Sequence, residues 1–348
     1  MISKRVWVVV AVLCLLAVQA MHAQEKRKVI IDTDPGTDDA LAILLALNSP
    51  ELQVEGITAV PGNVVAKQSL ENALKLVSLA GRCDIPVAGG AQHPLLQKTY
   101  TATYWHGKNG LADIELPEPK CKADARFAPD LLIELLHKYP HEITLIPIGP
   151  LTNIALAVSK DPSIVPLVKD IVIMGGSLNG GNVNGAAEAN IFGDPEAAAI
   201  VFNAGWTVTM VGSDVGEKTL LTRKHLAELA AGHGPENDVA TKIARFYIDR
   251  SEKNGWDGAA MYDPLAVAVV IDPTLVQWKD MHVDVETRGE FTRGETVANR
   301  MGSYENNVLH GDHYEIDGVV PVANNARVAL SSDSERFLQL FISRVKGK

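Results

Sequence analysis

Two hydrophobic patterns alternate along the chain. Short apolar runs rich in β-branched residues predict buried strands at 28–32, 54–60, 143–148, 171–174 and 207–211. Apolar residues that recur every three or four positions predict helices at 40–47, 64–80, 129–139, 152–159, 195–202, 238–253 and 264–270. This alternation predicts an α/β fold with a mainly parallel, Rossmann-like open sheet flanked by helices. In such sheets, ligands bind at the carboxyl ends of the strands.

The last part of the chain adds predicted strands at 276–288 and 319–330 and a closing helix at 332–345. Two helix ends carry capping signals. Gly81 is a candidate C-cap, and Asp194-Pro195 predicts an N-cap followed by proline in the first turn. Because the sequence contains no internal repeat, low-complexity block or clear linker, we expect a single large domain.

The amino terminus has the pattern of an export signal. Lys4 and Arg5 precede an unbroken apolar run over 6–18, and Ala23 offers a small residue for cleavage. We therefore expect a signal peptide over 1–23, a domain over 24–348 and a secreted or periplasmic location. The alternative is an uncleaved anchor, although the run is short for a membrane span. No later run is long enough to span a bilayer, so we expect no stable membrane insertion after cleavage.

Composition narrows the class of protein. The 348 residues are 47% hydrophobic, which suits a globular fold with a large core, and 42 acids against 32 bases give a net charge of −10. Such an acidic chain is not expected to bind nucleic acid through its phosphates. Cys83 and Cys121 remain after signal removal, and an exported protein can join them, but the sequence leaves that pairing open.

Residues 32–39 read Asp-Thr-Asp-Pro-Gly-Thr-Asp-Asp and place four carboxylates between a predicted strand and a helix. The Pro-Gly turn can fold these acids towards one point, where a cation would offset their repulsion. Oxygen-only ligands favour a hard cation such as calcium. A helix start that favours acids explains one or two of them, not all four. An aspartyl phosphotransferase is a competing interpretation, but Pro35 stands where that pattern expects glycine.

Residues 32–40 resemble the amino-terminal signature of the inosine-uridine preferring nucleoside hydrolases, a family of calcium-dependent enzymes. Segments 59–63, 148–153, 174–190 and 263–264 are similar to the later motifs of that family, in the same order. The resemblance implies hydrolysis of the N-glycosidic bond of ribonucleosides to free base and ribose, through an oxocarbenium-like transition state. It also implies a small-molecule ribonucleoside as partner and a homodimer or homotetramer.

The resemblance assigns roles to individual residues. It implies Ca²⁺ ligation by Asp34, Asp39, Asp263 and the backbone carbonyl of Ile148, where the family usually has threonine. Asp34 would also be the general base for a calcium-bound water. The residues that would bind the ribose hydroxyls or pack near the sugar are Asp38, Asn63, Met174, Asn182, Glu188 and Asn190.

The leaving base is where this sequence departs from the family. Tyr262 stands where many members have a histidine that is the proposed general acid, so it can donate a proton, stack on the base or only pack. His106 resembles a family loop histidine that would protonate or position the base, and loop surface is its alternative. The preference between purines and pyrimidines stays open, and the candidate stacking residues are Trp105, Phe246, Tyr247 and Trp256.

Two other functions fit the same residues. A nucleoside- or sugar-binding protein that has lost turnover would explain Tyr262, although retention of Asp34 argues against it. A hydrolase of an unusual riboside would use the same metal and sugar groups on a different base.

Overall fold

The computed structural model describes residues 26–298 and 323–347. Its strands are β1 Arg27–Thr33, β2 Leu52–Ala59, β3 Val87–Gly89, β4 Ile143–Pro147, β5 Asp170–Met174, β6 Val208–Val211, β7 Leu220–Leu221, β8 Ala259–Ala260, β9 Val276–Met281, β10 Val283–Val285, β11 Thr296–Ala298 and β12 Ala326–Ser332. Its α-helices are α1 Thr37–Leu47, α2 Ala66–Leu79, α3 Thr103–His106, α4 Ala128–Lys138, α5 Thr152–Lys160, α6 Ala189–Gly193, α7 Pro195–Phe202, α8 Ser213–Gly216, α9 Arg223–Ala230, α10 Pro235–Lys253, α11 Tyr262–Ile271 and α12 Ser334–Val345. Two 3₁₀ turns lie at Pro162–Leu167 and Pro273–Leu275.

An eight-stranded sheet forms the centre, in the order β3-β2-β1-β4-β5-β6-β12-β9. Its neighbouring strands are parallel except β12 and β9, which run antiparallel. One hydrophobic cluster packs α1, α2, α10, α11 and α12 on one face, and another packs α4, α5 and α7 on the other. Because both faces are covered, the central strands are almost continuously apolar. The predicted α/β fold is confirmed.

Except at 276–288, the predicted strands and long helices are present, with ends that shift by a few residues. The predicted N-cap is confirmed, since the Asp194 side chain accepts from the amide of Ala197 at 3.1 Å. Gly81, predicted as the C-cap of α2, lies one residue beyond the C-cap Ala80 and has φ +67°. The single strand predicted over 276–288 is wrong. The chain leaves the main sheet at His282, because β9 pairs with β12 while β10 pairs with β11. The signal peptide over 1–23 and the start of the strand predicted at 319–330 lie outside the described residues.

Cys83 and Cys121 form a disulfide across 38 positions. It ties the segment just after α2 to the long connection between β3 and α4, the same connection that contains α3. Within 26–298 and 323–347, no helix has the length and apolar character needed to span a membrane.

Candidate active site

The site lies where the parallel strands end. Asp34 follows β1 directly, and Asp38 and Asp39 occupy the first turn of α1. Asp263 occupies the first turn of α11, and this helix packs against α1. Carboxylate oxygens of Asp38, Asp39 and Asp263 lie within 4.8 Å of one another, and all three residues are buried. Three of the four acids predicted to surround the metal and the ribose therefore meet at the carboxyl edge of the sheet, and Asp34 lies near enough for its charge to interact with Asp38 and Asp39.

Asp39 is held by donors from the turn and from the loop after β2. Thr33 Oγ1 donates to Asp39 Oδ1 at 2.6 Å, and the Gly36 amide donates to Oδ2 at 2.9 Å. Asn63 Nδ2 also donates to Oδ2, at 2.9 Å, while the Asn63 backbone amide donates to Asp34. Asn63 therefore organises the acids from a position ahead of α2, which begins at Ala66. A direct contact between Asn63 and the sugar stays a prediction.

Asp34 packs between two glycine backbones. A Cβ at Gly62 would lie 2.0 Å from Asp34 Oδ2, and a Cβ at Gly149 would lie 2.5 Å from Oδ1. Only glycine fits at these close approaches. Asp34 Oδ2 accepts from the Asn63 amide at 2.5 Å, whereas the buried Oδ1 has no hydrogen-bond partner in the described protein. Asp34 thus keeps one carboxylate oxygen for a ligand.

Burial and mutual repulsion dominate the electrostatics of the acids. Desolvation raises the pKa of Asp34 well above its usual value, and the charges of Asp39 and Asp38 add to this shift. Desolvation, followed by the charges of Asp38, Asp39 and Asp34, likewise raises the pKa of Asp263. Asp32, which accepts from Asn153 and Thr58, has its pKa raised to about 7 by desolvation. Burial of so many carboxylates raises the free energy of the folded protein unless a cation or protons neutralise them.

The residues present fit a hard divalent cation. The donors are carboxylate oxygens, and Asp34 Oδ1 and Asp38 Oδ1 are buried without a hydrogen-bond partner among the described residues. The carbonyl of Ile148 lies at the same cavity and accepts from Asn190 Nδ2 at 3.0 Å, which leaves it one lone pair. All-oxygen ligation is typical of magnesium and calcium sites. The close triad of acids includes Asp38, which sequence similarity assigned to the ribose instead.

His106 ends the short helix α3 and is buried against α1. The backbone amide of Thr37 donates to His106 Nδ1 at 3.1 Å, and Thr37 Oγ1 lies 2.8 Å from the same atom. Since Nδ1 accepts, the ring's N–H is on Nε2. Burial lowers the pKa of His106 to about 3, so the ring is neutral at physiological pH. His106 lines the cavity and is suited to donate a hydrogen bond; it is not merely loop surface.

Asn190 and Glu188 line the cavity at the start of α6. Asn190 Nδ2 donates to the carbonyls of Ile148 and Met174, both at 3.0 Å, so its Oδ1 is the atom left to accept from a hydroxyl. Glu188 is a buried N-cap that accepts from the amides of Gly176 and Asn190, at 2.9 Å each. Desolvation raises the pKa of Glu188 to about 7. Glu188 is therefore a buried group of the site and not a solvent-exposed charge.

Asn182, Tyr262 and Met174 complete the predicted set, and all three line the cavity. Asn182 Oδ1 accepts from the Ala189 amide at 2.9 Å, and its side chain hydrogen-bonds Tyr262. Desolvation raises the pKa of Tyr262 above its usual value, and the negative charge of Glu217 raises it again by a smaller amount. Tyr262 thus holds its proton more tightly than a free tyrosine.

The site opens as a cavity of about 440 Å³. Of the candidate stacking residues, Trp105, Tyr247 and Trp256 line it, whereas Phe246 packs against the core. Sequence analysis missed Tyr100 and Glu217, which also line it. Glu217 follows the end of β6 by a few residues, so its position beyond a parallel strand was a signal that could have found it.

An open parallel sheet with a buried carboxylate cluster and an aromatic-walled cavity at its carboxyl edge defines an α/β enzyme that acts on a small polar molecule. A protein-family model described as inosine-uridine preferring nucleoside hydrolase matches residues 29–339. The chain belongs to this family, and the resemblance stated from the sequence is confirmed.

Individual relatives agree with the family. The chain is 44% identical to uridine nucleosidase 1 of Arabidopsis thaliana over 76% of its length and 79% of that protein. It is 38% identical to the pyrimidine-specific ribonucleoside hydrolase RihA of Citrobacter koseri over 91% of its length and 97% of that protein. The solved purine-preferring ribonucleoside hydrolase of Gardnerella vaginalis superposes with a TM-score of 0.83 at 36% identity, over 92% and 98% of the two chains. The predicted enzyme class, an N-ribosyl nucleoside hydrolase, is confirmed.

Proposed function

We propose that this chain hydrolyses the N-glycosidic bond of ribonucleosides to a free base and ribose. The observation that carries the proposal is the acidic floor, the buried triad of Asp38, Asp39 and Asp263, of which Asp38 and Asp263 line the cavity. Asp34 lies near enough for its charge to interact with the triad. Cleavage of the bond builds positive charge on the ribose ring. A fixed set of carboxylates stabilises that charge as it develops, without reorganisation at the moment of reaction.

We propose Ca²⁺ as the cation, held by Asp34, Asp39, Asp263 and the carbonyl of Ile148. Support comes from the all-oxygen donor set and from Asp34 Oδ1, which has no hydrogen-bond partner in the described protein. When bound, the cation supplies neutralisation of the acids and lowers the pKa of a water at the site. Asp38 lies near enough to this group either to join it or to hold a ribose hydroxyl beside it.

Asp34 is the proposed general base. Its Oδ1 is free of other hydrogen bonds, and the two glycine backbones of Gly62 and Gly149 fix the carboxylate in one place. The carboxylate takes a proton from the attacking water. Asn190 and Glu188, which line the cavity at the start of α6, orient the sugar. Alignment of the ribose with the attacking water lowers the barrier further.

The leaving base meets two neutral groups that can each donate a hydrogen bond. His106 is neutral, since burial lowers its pKa to about 3, so it donates a hydrogen bond from Nε2. Tyr262 is also neutral, because burial raises its pKa. We therefore propose that both residues position the base and stabilise charge on it by hydrogen bonding, and that neither is a strong acid at neutral pH.

We propose pyrimidine ribonucleosides as the preferred substrates. The support is the 44% identity to a uridine nucleosidase and the 38% identity to a pyrimidine-specific hydrolase. The purine-preferring enzyme that shares the fold at 36% identity gives purines as the other candidate class.

We propose that the mature protein is exported and forms a homo-oligomer. The pattern of residues 1–23 supports export, and so does the Cys83–Cys121 disulfide, because disulfides persist in oxidising compartments. The proposed homo-oligomer is inferred from the dimers and tetramers that the family commonly forms. Fractionation of cells, followed by light scattering on the exported protein, tests both parts.

A substrate panel tests the proposed activity. Purified protein is incubated with uridine, cytidine, inosine, adenosine and guanosine in buffer with Ca²⁺, and free base and ribose are both quantified. We expect equal release of base and ribose, fastest with uridine. Asp39→Asn, which removes a charge from the acidic floor, should lower kcat/KM by at least about a hundredfold. Absence of turnover on every nucleoside would overturn the proposal.

A further inference from the structure

Asn72 lies on α2 and contacts the acidic turn, residues 34–39, between β1 and the first turn of α1. Asn72 is 1% exposed. Its amide nitrogen donates to the carbonyl of Pro35 at 3.0 Å and to the carbonyl of Asn109 at 2.8 Å. Gln68 Nε2 donates to the amide oxygen of Asn72 at 2.9 Å. Both hydrogens of the Asn72 amide therefore point at backbone carbonyls, one on each of the two loops that meet at the site.

The first contact reaches Asp39 through one peptide group. The carbonyl of Pro35 and the N–H of Gly36 belong to the same planar unit, so they cannot turn independently. Asn72 donates to the carbonyl oxygen of this peptide unit, and the Gly36 N–H of the same unit donates to Asp39 Oδ2 at 2.9 Å. Rotation of the peptide would break both bonds, so Asn72 fixes the direction in which Gly36 holds Asp39.

The second contact reaches the loop that follows His106. Ala112 and Asp113 have φ values of +58° and +56°, which non-glycine residues rarely adopt. Asn109 holds this loop from within, since its Oδ1 accepts from the Asp113 amide at 3.1 Å. The Ala112 amide in turn donates to the carbonyl of His106 at 2.8 Å. Asn72 anchors Asn109 and thereby the loop on which the position of His106 depends.

The two loops are in close contact around Asn72. A Cβ at Gly110 would lie 2.7 Å from the Pro35 carbonyl oxygen and 2.9 Å from Asn72 Nδ2. There is no room for a side chain at Gly110. A change at Asn72 is therefore transmitted to both loops at once.

We propose that Asn72 is a positioning residue that couples the acidic turn to the loop carrying His106. It acts on the cation through Asp39 and on the base through His106, without touching either ligand. The inference rests on the proposed function, because it requires a cation at Asp39.

Asn72→Leu tests the inference, since leucine has a similar volume and no hydrogen bonds. Calorimetry without substrate should show Ca²⁺ binding weakened by about tenfold, and kcat for uridine should fall by a similar factor with a smaller change in KM. In a His106→Ala background, Asn72→Leu should cause a smaller loss of kcat, because part of its effect passes through His106.

Two further variants guard the interpretation. Ser69→Ala, on the same helix and equally buried, should leave Ca²⁺ affinity and kcat unchanged. Asn72→Asp keeps the shape but loses at least one donor, so it should shift Ca²⁺ affinity in the same direction if the leucine variant does not fold. Wild-type Ca²⁺ affinity in both Asn72 variants, or an equal loss in Ser69→Ala, would overturn the inference and leave the proposed function standing. A wild-type protein that binds no Ca²⁺ would overturn the inference and the proposed cation together, and turnover in the nucleoside panel would then decide the proposed activity separately.

Discussion

At the scale of single residues, the site is built from side chains whose pKa values are shifted by burial. Asp34, Asp38 and Asp263 have raised pKa values because they are desolvated together, and the pKa of His106 is lowered for the same reason. Sequence similarity identified these residues, but it did not reveal how they are held. Asn63 donates to both Asp34 and Asp39 only because the fold brings the loop after β2 against the turn after β1. Asn72 gave no signal, because its contacts are to backbone carbonyls distant in sequence.

Tyr262→Phe tests the role of the hydroxyl in place of the family histidine. Because burial raises the pKa of Tyr262, the hydroxyl stays protonated and is a weaker acid than a free tyrosine, so we expect it to contribute one hydrogen bond to the leaving base. We expect kcat/KM for uridine to fall by no more than about tenfold, the usual worth of a hydrogen bond. The pH profile between 6 and 9 should keep its shape. A loss of several hundredfold, or a new limb in that profile, would show that Tyr262 is the proton donor.

At the scale of elements, the pattern of apolar positions predicted the strands and helices that bury large side chains, as in the run from β4 to α5. Short elements without such a pattern escaped prediction, and α3 and α6 are examples. They form because the surrounding structure orders them, as when Glu188 caps α6. The break at His282 was also invisible, because β9 and β10 are both strands that join different sheets.

The disulfide constrains the long connection that contains α3 and His106. Replacing both cysteines, as Cys83→Ser with Cys121→Ser, should lower the free energy of unfolding by about 2–4 kcal/mol, because the unfolded chain loses a closed loop. Denaturant titration of this variant against wild type measures the difference. We expect kcat to change less than twofold, since Asn72 and Thr37 still hold the loop. An unchanged unfolding midpoint would contradict the structural role of the disulfide.

At the scale of the whole molecule, the net charge of −10 says little about function, whereas a few buried acids define the site. The same acids make stability depend on pH. The folded-state pKa values of Glu188 and Asp32 are raised to about 7. A group with a raised folded-state pKa binds its proton more tightly when folded. Its stabilising contribution is complete below its unfolded pKa and is lost as pH rises through about 7.

Thermal unfolding in the presence of EDTA tests this linkage. The melting temperature should fall as pH rises from 5 to 8, by several degrees, because the acids must then ionise while buried. Added Ca²⁺ should restore the melting temperature most strongly at pH 8, where the carboxylates are free of protons. A melting temperature independent of pH in EDTA, together with no response to Ca²⁺, would contradict the account of a cation-neutralised acidic floor.

The central claim is that the acidic floor catalyses hydrolysis rather than only binding a nucleoside. The most direct measurement is a time course with uridine and Ca²⁺, in which uracil and ribose are quantified together for wild type and for Asp34→Asn. The account predicts equimolar uracil and ribose from the wild type, with a rate at least about a thousandfold lower for Asp34→Asn, which has lost the general base. Tight binding of uridine by the wild type without release of either product would contradict it and favour a binding protein.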